Sequence, residues 1–401
     1  MPGRIEWVRS QTRLLRRTAE EFAETRPFAG MTIGTGIHLE PKTASLLLTL
    51  QAGGAGLVCT GNLNSTQPET VAYLGERGVE VIASQTQDLE EHEKNLRAVL
   101  AQRPQLLLDN GGDLFALYLT DPYSGLLGGT EETTSGRARL LPLRDRLRVP
   151  ILVINDSPIK QFAENEHAVG QSVLESYLRI TNRMTNGQRV TVFGYGACGS
   201  GVAENFRAAG SLVSVVEVDP VKRLQALLDG YDTPSREVAT SSADVIITVT
   251  GARTVIGADD LLLLKDGAIL ANAGHFPFEI DVPGIRSSGE IRRETRYDDG
   301  IQAYELRDGR TVYVLTDGHM VNLAGPRPLG NSIESMDLGF TLQARCLEAV
   351  ARGLVDTEQC VVPVPPEIDR RVAQAYLDLQ YPLAQPGSRS TITTRAHDAS
   401  R

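Results

Sequence analysis

The stretch Val190-Thr-Val-Phe-Gly194-Tyr-Gly196-Ala-Cys-Gly199-Ser-Gly201 is an apolar, β-rich run that ends in glycines spaced G-x-G-x-x-G and continues into the helical pattern Val202–Ala209. Each glycine has its own physical role. Gly194 permits a tight turn, Gly196 lets backbone approach a pyrophosphate, and Gly199 lets helix and strand pack closely. Phosphates then lie where free N–H groups and the helix dipole favour negative charge. A second strand candidate, Leu212–Val216, ends at Glu217. A carboxylate there accepts hydrogen bonds from both ribose hydroxyls and repels a 2′-phosphate, so the expected cofactor is NAD rather than NADP. Strand, glycines, helix, strand and acid in this order carry the reading, since a lone G-x-G-x-x-G is an ordinary α/β turn. Cys198 lies inside the loop, either as a thiol whose pKa the helix N-terminus lowers or as a small residue that fits.

Other chemistry-bearing residues are more scattered. His275 follows the strand candidate Ala268–Ala271 at its carboxyl end, where open α/β sheets bind ligands. His92 sits in the charged run Glu90-Glu-His-Glu-Lys94 and reads as solvated surface. Cys59, Cys198, Cys346 and Cys360 form no C-x-x-C pair, so no metal site or dithiol motif is expected. With 40 Lys+Arg against 50 Asp+Glu, net charge −10, the chain lacks the basic excess that nucleic-acid binding requires. No apolar run approaches the roughly 20 residues of a membrane span, and Met1–Arg17 lacks a secretion signal. A cytoplasmic protein with neither membrane nor nucleic-acid partners is expected.

The elements that must position these residues alternate helical patterns with short strands. Over 1–150 the strand candidates are Gly56–Thr60, Val79–Ala83 and Gln105–Leu108, a rhythm of βα units and a parallel sheet. The helical stretch Ser172–Met184 leads through Asn186-Gly187-Gln188 into Val190–Gly194, and Val245–Val249, Ala268–Ala271 and Thr311–Leu315 complete a five-strand, doubly wound nucleotide-binding unit. Ser332–Ala351 and Glu367–Leu379 are helical, with the Pro-rich Val361–Pro366 between them. The expected fold class is α/β, a Rossmann-type NAD-binding domain inserted in a second α/β substrate-binding domain. The predicted division is 1–168 for the first part of the substrate domain, 169–327 for the NAD domain, 328–385 for the return to the substrate domain, and 386–401 for a flexible tail.

Several motifs together resemble the S-adenosyl-L-homocysteine hydrolase family in order and near spacing. They are Glu131-Glu-Thr-Thr-Ser-Gly136, Val153-Ile-Asn-Asp-Ser157 with Lys160 and Asn165, the glycine loop, Glu217-Val-Asp-Pro220, Asn272-Ala-Gly-His275-Phe276 with Glu279-Ile-Asp281, and Val321-Asn322-Leu323. Asp109-Asn-Gly-Gly-Asp113 and Asn62-Leu-Asn-Ser-Thr-Gln67 extend the resemblance. It implies a hinged, NAD-dependent enzyme for a small nucleoside-like substrate, in a homo-oligomer (dimer or tetramer). The implied chemistry is redox-neutral: NAD+ oxidises the ribose 3′-hydroxyl, the ketone acidifies C4′–H, the thiol leaves from C5′, water adds, and the stored hydride reduces the ketone. A cofactor regenerated each turn behaves as a prosthetic group.

Carried over by position, the resemblance places Lys160 beside the ribose hydroxyls to help remove the 3′ proton, which requires a depressed ammonium pKa or a relay. Glu132 would bind the same hydroxyls, and Glu164, where the family usually has Asp, would pair with Lys160 from one helix face. Asn165 would contact cofactor and substrate. His38 and His275 match histidines near C5′ and near the nicotinamide–substrate junction. Thr133, Thr134 and Asn322 match cofactor contacts, as do Gly194, Gly196, Gly199 and Glu217. His319 stands where the family usually has Arg.

The departures cluster at the base and C5′ ends of the substrate. Two and four positions after His38 the family has a Thr and a Glu that contact adenine; this chain has Glu40 and Lys42. Asn110 replaces a catalytic-centre carboxylate, Val169 a Cys, and Ala324–Gly330 a Gly-His at the mouth, while Pro386–Arg401 shows no match to the family's cofactor-covering arm. The charge inversion at 40 and 42 predicts 3′-oxidation, C4′ deprotonation and elimination or hydration on a nucleoside thioether other than ordinary adenosylhomocysteine. The alternatives are a genuine adenosylhomocysteine hydrolase, a nucleoside epimerase or oxidoreductase, and a catalytically silent NAD-binding regulator.

Overall fold

A computed structural model describes residues 3–63, 65–82, 86–298, 300–355 and 361–381. Among the described residues fourteen strands lie in two seven-stranded sheets. The first sheet contains β1 (Thr32–Gly36), β2 (Gly56–Thr60), β3 (Glu80–Val81), β4 (Leu106–Asp109), β5 (Gly128–Glu131), β6 (Ile151–Val153) and β14 (Val362–Pro363), in the order β14-β6-β5-β4-β1-β2-β3 and all parallel. Four of these, β1, β5, β6 and β14, were not expected from the sequence. β1 and β5 are built largely from Gly and Thr, because neighbours crowd them: a Cβ on Gly129 would lie 1.8 Å from the Leu107 carbonyl oxygen. β6 is only three residues long and β14 only two. Of the expected strand Val79–Ala83, only Glu80–Val81 pairs, and Ala83 lies outside the described residues.

The second sheet contains β7 (Arg189–Phe193), β8 (Leu212–Val216), β9 (Val245–Thr248), β10 (Ile269–Asn272), β11 (Ile291–Asp298), β12 (Ile301–Leu306) and β13 (Thr311–Leu315), in the order β11-β12-β13-β10-β9-β7-β8. β7 pairs in parallel with β8 on one side and β9 on the other, so the strand order reverses there. The carboxyl end of such a strand is a ligand crevice. The antiparallel pairing of β11 with β12 and of β12 with β13 enlarges the expected five-strand unit. β11 carries five charged residues and little apolar alternation, so the run gives no strand signal.

Helices cover both sheets. Ile333–Ala351 has 15 buried residues and packs on the helices Arg13–Thr25, Pro41–Ala52 and Pro366–Gln380. Asp337 on this helix accepts hydrogen bonds from the backbone N–H groups of Leu14 and Leu15, both at 2.8 Å. The chain leaves the first sheet along a π-helix, Lys160–Ala168, that continues as the α-helix Val169–Thr181. That helix ends at Thr181, three residues before the expected Met184, and is capped by Asn182 in the left-handed region. The helix after β7 runs Ala197–Ala208, starting at the glycine loop rather than at Val202. The expected tail, 386–401, lies outside the described residues.

Candidate active site

The cofactor cradle forms where β7 meets the helix Ala197–Ala208. Gly194 has φ +102°, and a Cβ there would lie 2.8 Å from the Val249 carbonyl oxygen. A Cβ on Gly199 would lie 2.1 Å from the carbonyl oxygen of Gly194, so the turn closes only with glycine at both places. Gly196 is the N-cap, no side chain caps the helix, and the nearest atom to a Cβ on Gly196 is Lys222 Nζ at 3.9 Å. An uncapped helix start with open space before it fits a pyrophosphate. Glu217 stands at the end of β8 and accepts from the N–H of Tyr195 at 2.7 Å, which fixes its carboxylate beside the loop. Asn322 donates to Ser172 Oγ at 2.9 Å while its buried Oδ1 has no partner, an orphan that a bound group would satisfy. These residues fit NAD.

One expectation in this region changes. Burial pushes the Cys198 thiol up to about 11, so it stays protonated and the reading of a lowered thiol pKa is set aside. Thr133 spends its hydroxyl within the chain, capping the helix Thr134–Leu140 through Gly136 N–H at 2.8 Å and donating to Glu131 at 2.7 Å. Thr134 is exposed at the first position of that helix.

A buried acid–base cluster lies at the carboxyl ends of β4, β5 and β6. The π-helix brings Lys160 Nζ into direct contact with Glu164 Oε1, and Glu132 Oε1 lies 3.7 Å from the same ammonium. Segments of π-helix often mark functional sites. Burial works against the Lys160 charge, yet the carboxylates of Glu164 and Glu132 outweigh it and hold the ammonium above its ordinary value. The depressed pKa that one expectation required is therefore absent, which leaves the relay. Burial pushes Glu132 up to about 7 against the pull of Lys160. Asn110 donates to Glu132 at 3.3 Å, and its own buried Oδ1 is unpaired, as is Oε2 of Glu164. Asn165 donates to Asn155 at 2.9 Å.

The histidines come from different sheets. His38 follows β1, His275 follows β10, and their ring centroids are 6.0 Å apart. Burial lowers His38 to about 3, helped by the facing His275 and Lys160, and lowers His275 to about 4 against Asp113. Both rings are neutral at pH 7. Ser65 Oγ, 2.6 Å from His38 Nδ1, fixes that ring. At the start of the helix Pro41–Ala52, buried Glu40 and Lys42 form an ion pair of 2.8 Å, and Lys42 also donates to the Leu329 carbonyl at 2.7 Å.

Lys160, Glu164, Glu132 and Asn110 thus form one cluster and His38 with His275 a second, while Asn165 bonds to Asn155 and Glu40 pairs with Lys42. Sequence reasoning passed over Glu131. Its buried carboxylate gathers the N–H groups of Gly111, Gly112 and Thr133, tying β5 to the glycine turn after β4. The paired acids at 131 and 132 were the available signal. His92 reverses its expectation: it is 9% exposed, because its ring turns inward to within 4.0 Å of Asp113. His319 lies in the turn after β13, where its carbonyl accepts from Thr316 Oγ1 at 2.6 Å.

Residues 4–123 match the S-adenosyl-L-homocysteine hydrolase family, and residues 165–327 match the NAD-binding domain of that family. The chain is 40% identical over 380 residues to S-inosyl-L-homocysteine hydrolase of Methanopyrus kandleri, covering 93% of this chain and 89% of that one. It is 40% identical over 381 residues to adenosylhomocysteinase of Thermotoga maritima, covering 94% and 93%. To S-inosyl-L-homocysteine hydrolase of Methanothermobacter thermautotrophicus it is 37% identical over 382 residues, covering 94% and 90%.

Proposed function

The chain belongs to the S-adenosyl-L-homocysteine hydrolase family, an NAD-dependent hydrolase family, and from that premise we propose that it cleaves a nucleosyl homocysteine whose base carries a carbonyl at C6, as S-inosyl-L-homocysteine does. The observation that carries this reading is the buried Lys42–Glu40 pair at the two positions where the resemblance implies base contact. An ammonium has three donors. Lys42 spends one on Glu40 and one on the Leu329 carbonyl, which leaves one for a ligand. Adenine offers an amine at C6 and a lone pair at N1; hypoxanthine offers a carbonyl oxygen at C6 and an N–H at N1. The free ammonium donor matches the carbonyl, and the Glu40 carboxylate matches the N–H. With Lys42 opposite C6 and Glu40 opposite N1, adenine would present a donor to the ammonium and a lone pair to the carboxylate, an unpaired buried arrangement that discriminates by at least about 10²-fold.

When bound, NAD would supply a reversible hydride acceptor, so that the overall reaction is hydrolysis. Lys160 stands charged between two carboxylates, and accepting the 3′-hydroxyl proton requires it to pass one of its own to Glu164 in the same movement. Glu132, with Asn110 behind it, orients the hydroxyls. His38 and His275, both neutral, can take one proton and return it, which suits removal of C4′–H and protonation of the departing sulfur. Sheet membership supports a division into a substrate part over 1–168 and 328–385 and an NAD part over 169–327. The test is kcat/KM for S-inosyl- and S-adenosyl-L-homocysteine on the same protein. The inosyl substrate is expected to lead by about 10²-fold or more, and Glu40→Thr with Lys42→Glu to reverse the order. Faster turnover of the adenosyl substrate by the unaltered chain would sink the assignment.

A further inference from the structure

We infer that His92, together with Arg139, is a positioning residue that holds the Asp113 carboxylate opposite His275 across the Gly111 turn. His92 belongs to the helix Leu89–Ala101, where Glu90 and Glu93 face solvent and His92 alone of this charged run turns fully inward among the described residues. Its Nε2 lies 4.0 Å from Oδ2 of Asp113, and Arg139, from the helix Thr134–Leu140, contacts Oδ1 directly. The carboxylate is therefore faced from two helices, one oxygen each, by direct contact from Arg139 and by the closely approaching His92 ring. The Oδ2 held by His92 is also the oxygen nearest the gap toward His275: a Cβ on Gly111 would lie 3.4 Å from Asp113 Oδ2 and 3.4 Å from His275 Nε2. Gly111 has φ +114°, a conformation that keeps side chains out of this gap.

The charges around the pair fix the sign of the effect. Asp113 faces His92, Arg139 and His275, and it also raises the buried Asp109 at the end of β4. His275 faces Asp113 and the neutral His38, with Lys160 beyond His38. Burial disfavours the His275 cation, and Asp113 is the charge that favours it. Freed from His92, the partly exposed Asp113 can swing outward with Arg139, and His275 loses the charge that favours its cation.

The inference rests on His275 acting as an acid–base group in the proposed hydrolysis. It is tested by the pH profile of kcat/KM of the NAD-loaded full chain, with whichever nucleosyl homocysteine it turns over faster. Asp113→Asn is expected to move the limb that titrates with His275 about one pH unit lower, whether His275 acts as acid or as base. His92→Phe is expected to move the same limb in the same direction by roughly half as much, and His92→Gln, which keeps a donor, to restore it. Limbs that stay in place in Asp113→Asn and His92→Phe would overturn the inference, whatever happens to the thermal midpoints. His275→Ala separates the two readings. If it abolishes the limb while His92→Phe leaves the parent profile intact, only the present inference falls; if it keeps both rate and limb, the role of His275 falls and the inference with it.

Discussion

At the scale of single residues, the site is defined by charges that burial has rearranged. His275 provides a measurable consequence. Its folded-state pKa, about 4, lies below its ordinary 6.5, so the unfolded chain binds a proton more readily than the folded one. The stability that neutral His275 contributes is present above 6.5 and lost as pH falls from there toward about 4. In His275→Asn that position no longer titrates, so the variant's stability relative to the parent should rise by about 2 kcal/mol between pH 7 and pH 5. Urea denaturation at both pH values checks this, and a difference independent of pH would show that the ring is not held neutral by burial. His275 was legible in the sequence from its place at a strand end, and Lys160 and Glu164 only through the resemblance to the family. His92 was not, since a histidine among three glutamates and a lysine looks solvated until the partner 21 positions away, Asp113, is brought to its inner face.

At the scale of elements, the close approach of two helices couples the acid–base cluster to the cofactor cradle. A Cβ on Gly201 would lie 1.8 Å from the Glu166 carbonyl oxygen, and one on Gly170 would lie 2.3 Å from the carbonyl oxygen of Gly201. The π-helix that carries Lys160 thus rests backbone to backbone on the helix that starts at the glycine loop. Gly201→Ala must push the two apart, at a cost of about 1–3 kcal/mol. We expect a lowered thermal midpoint together with weaker NAD binding by calorimetry, whereas Gly289→Ala, with nothing within 4 Å, should change neither. An unaltered NAD affinity in Gly201→Ala would show that the two helices are not coupled in this way. The glycine loop was legible from its spacing, and so were most strands rich in Val, Ile and Leu. β1 and β5 were not, because strands chosen for close packing by Gly and Thr carry no hydrophobic alternation. Nor was the π-helix, whose extra residue per turn leaves no mark in a side-chain pattern read at the α-helical period.

At the scale of the whole molecule, the groups proposed to react are divided between two sheets, so on this reading the relation of one sheet to the other is part of the active site. His38, Glu132 and Lys160 follow strands of the first sheet, and His275 follows one of the second. The chain crosses between them along Lys160–Thr181 and returns through residues 316–331. Ser172 ties the two crossings together: its Oγ accepts from Asn322 Nδ2 at 2.9 Å and donates to Asn331 Oδ1 at 3.0 Å. Arg179 reinforces the tie by donating to the Pro326 carbonyl, and Lys42 fastens the same segment to the first sheet at Leu329. This architecture was legible as an insertion of one α/β unit into another, but the ties were not, because each joins residues more than a hundred positions apart. Ser172→Ala would strand the two amide groups at a cost of about 1–3 kcal/mol and loosen both crossings at once. Hydrogen exchange should then accelerate at residues 165–173 and 321–332 together, with strands β1, β4, β7 and β9 unchanged, and kcat should fall more than the affinity for NAD, because the two sets of reacting groups are no longer held in register. Faster exchange confined to one crossing would mean that Ser172 stabilises its own helix and does not hold the two halves together.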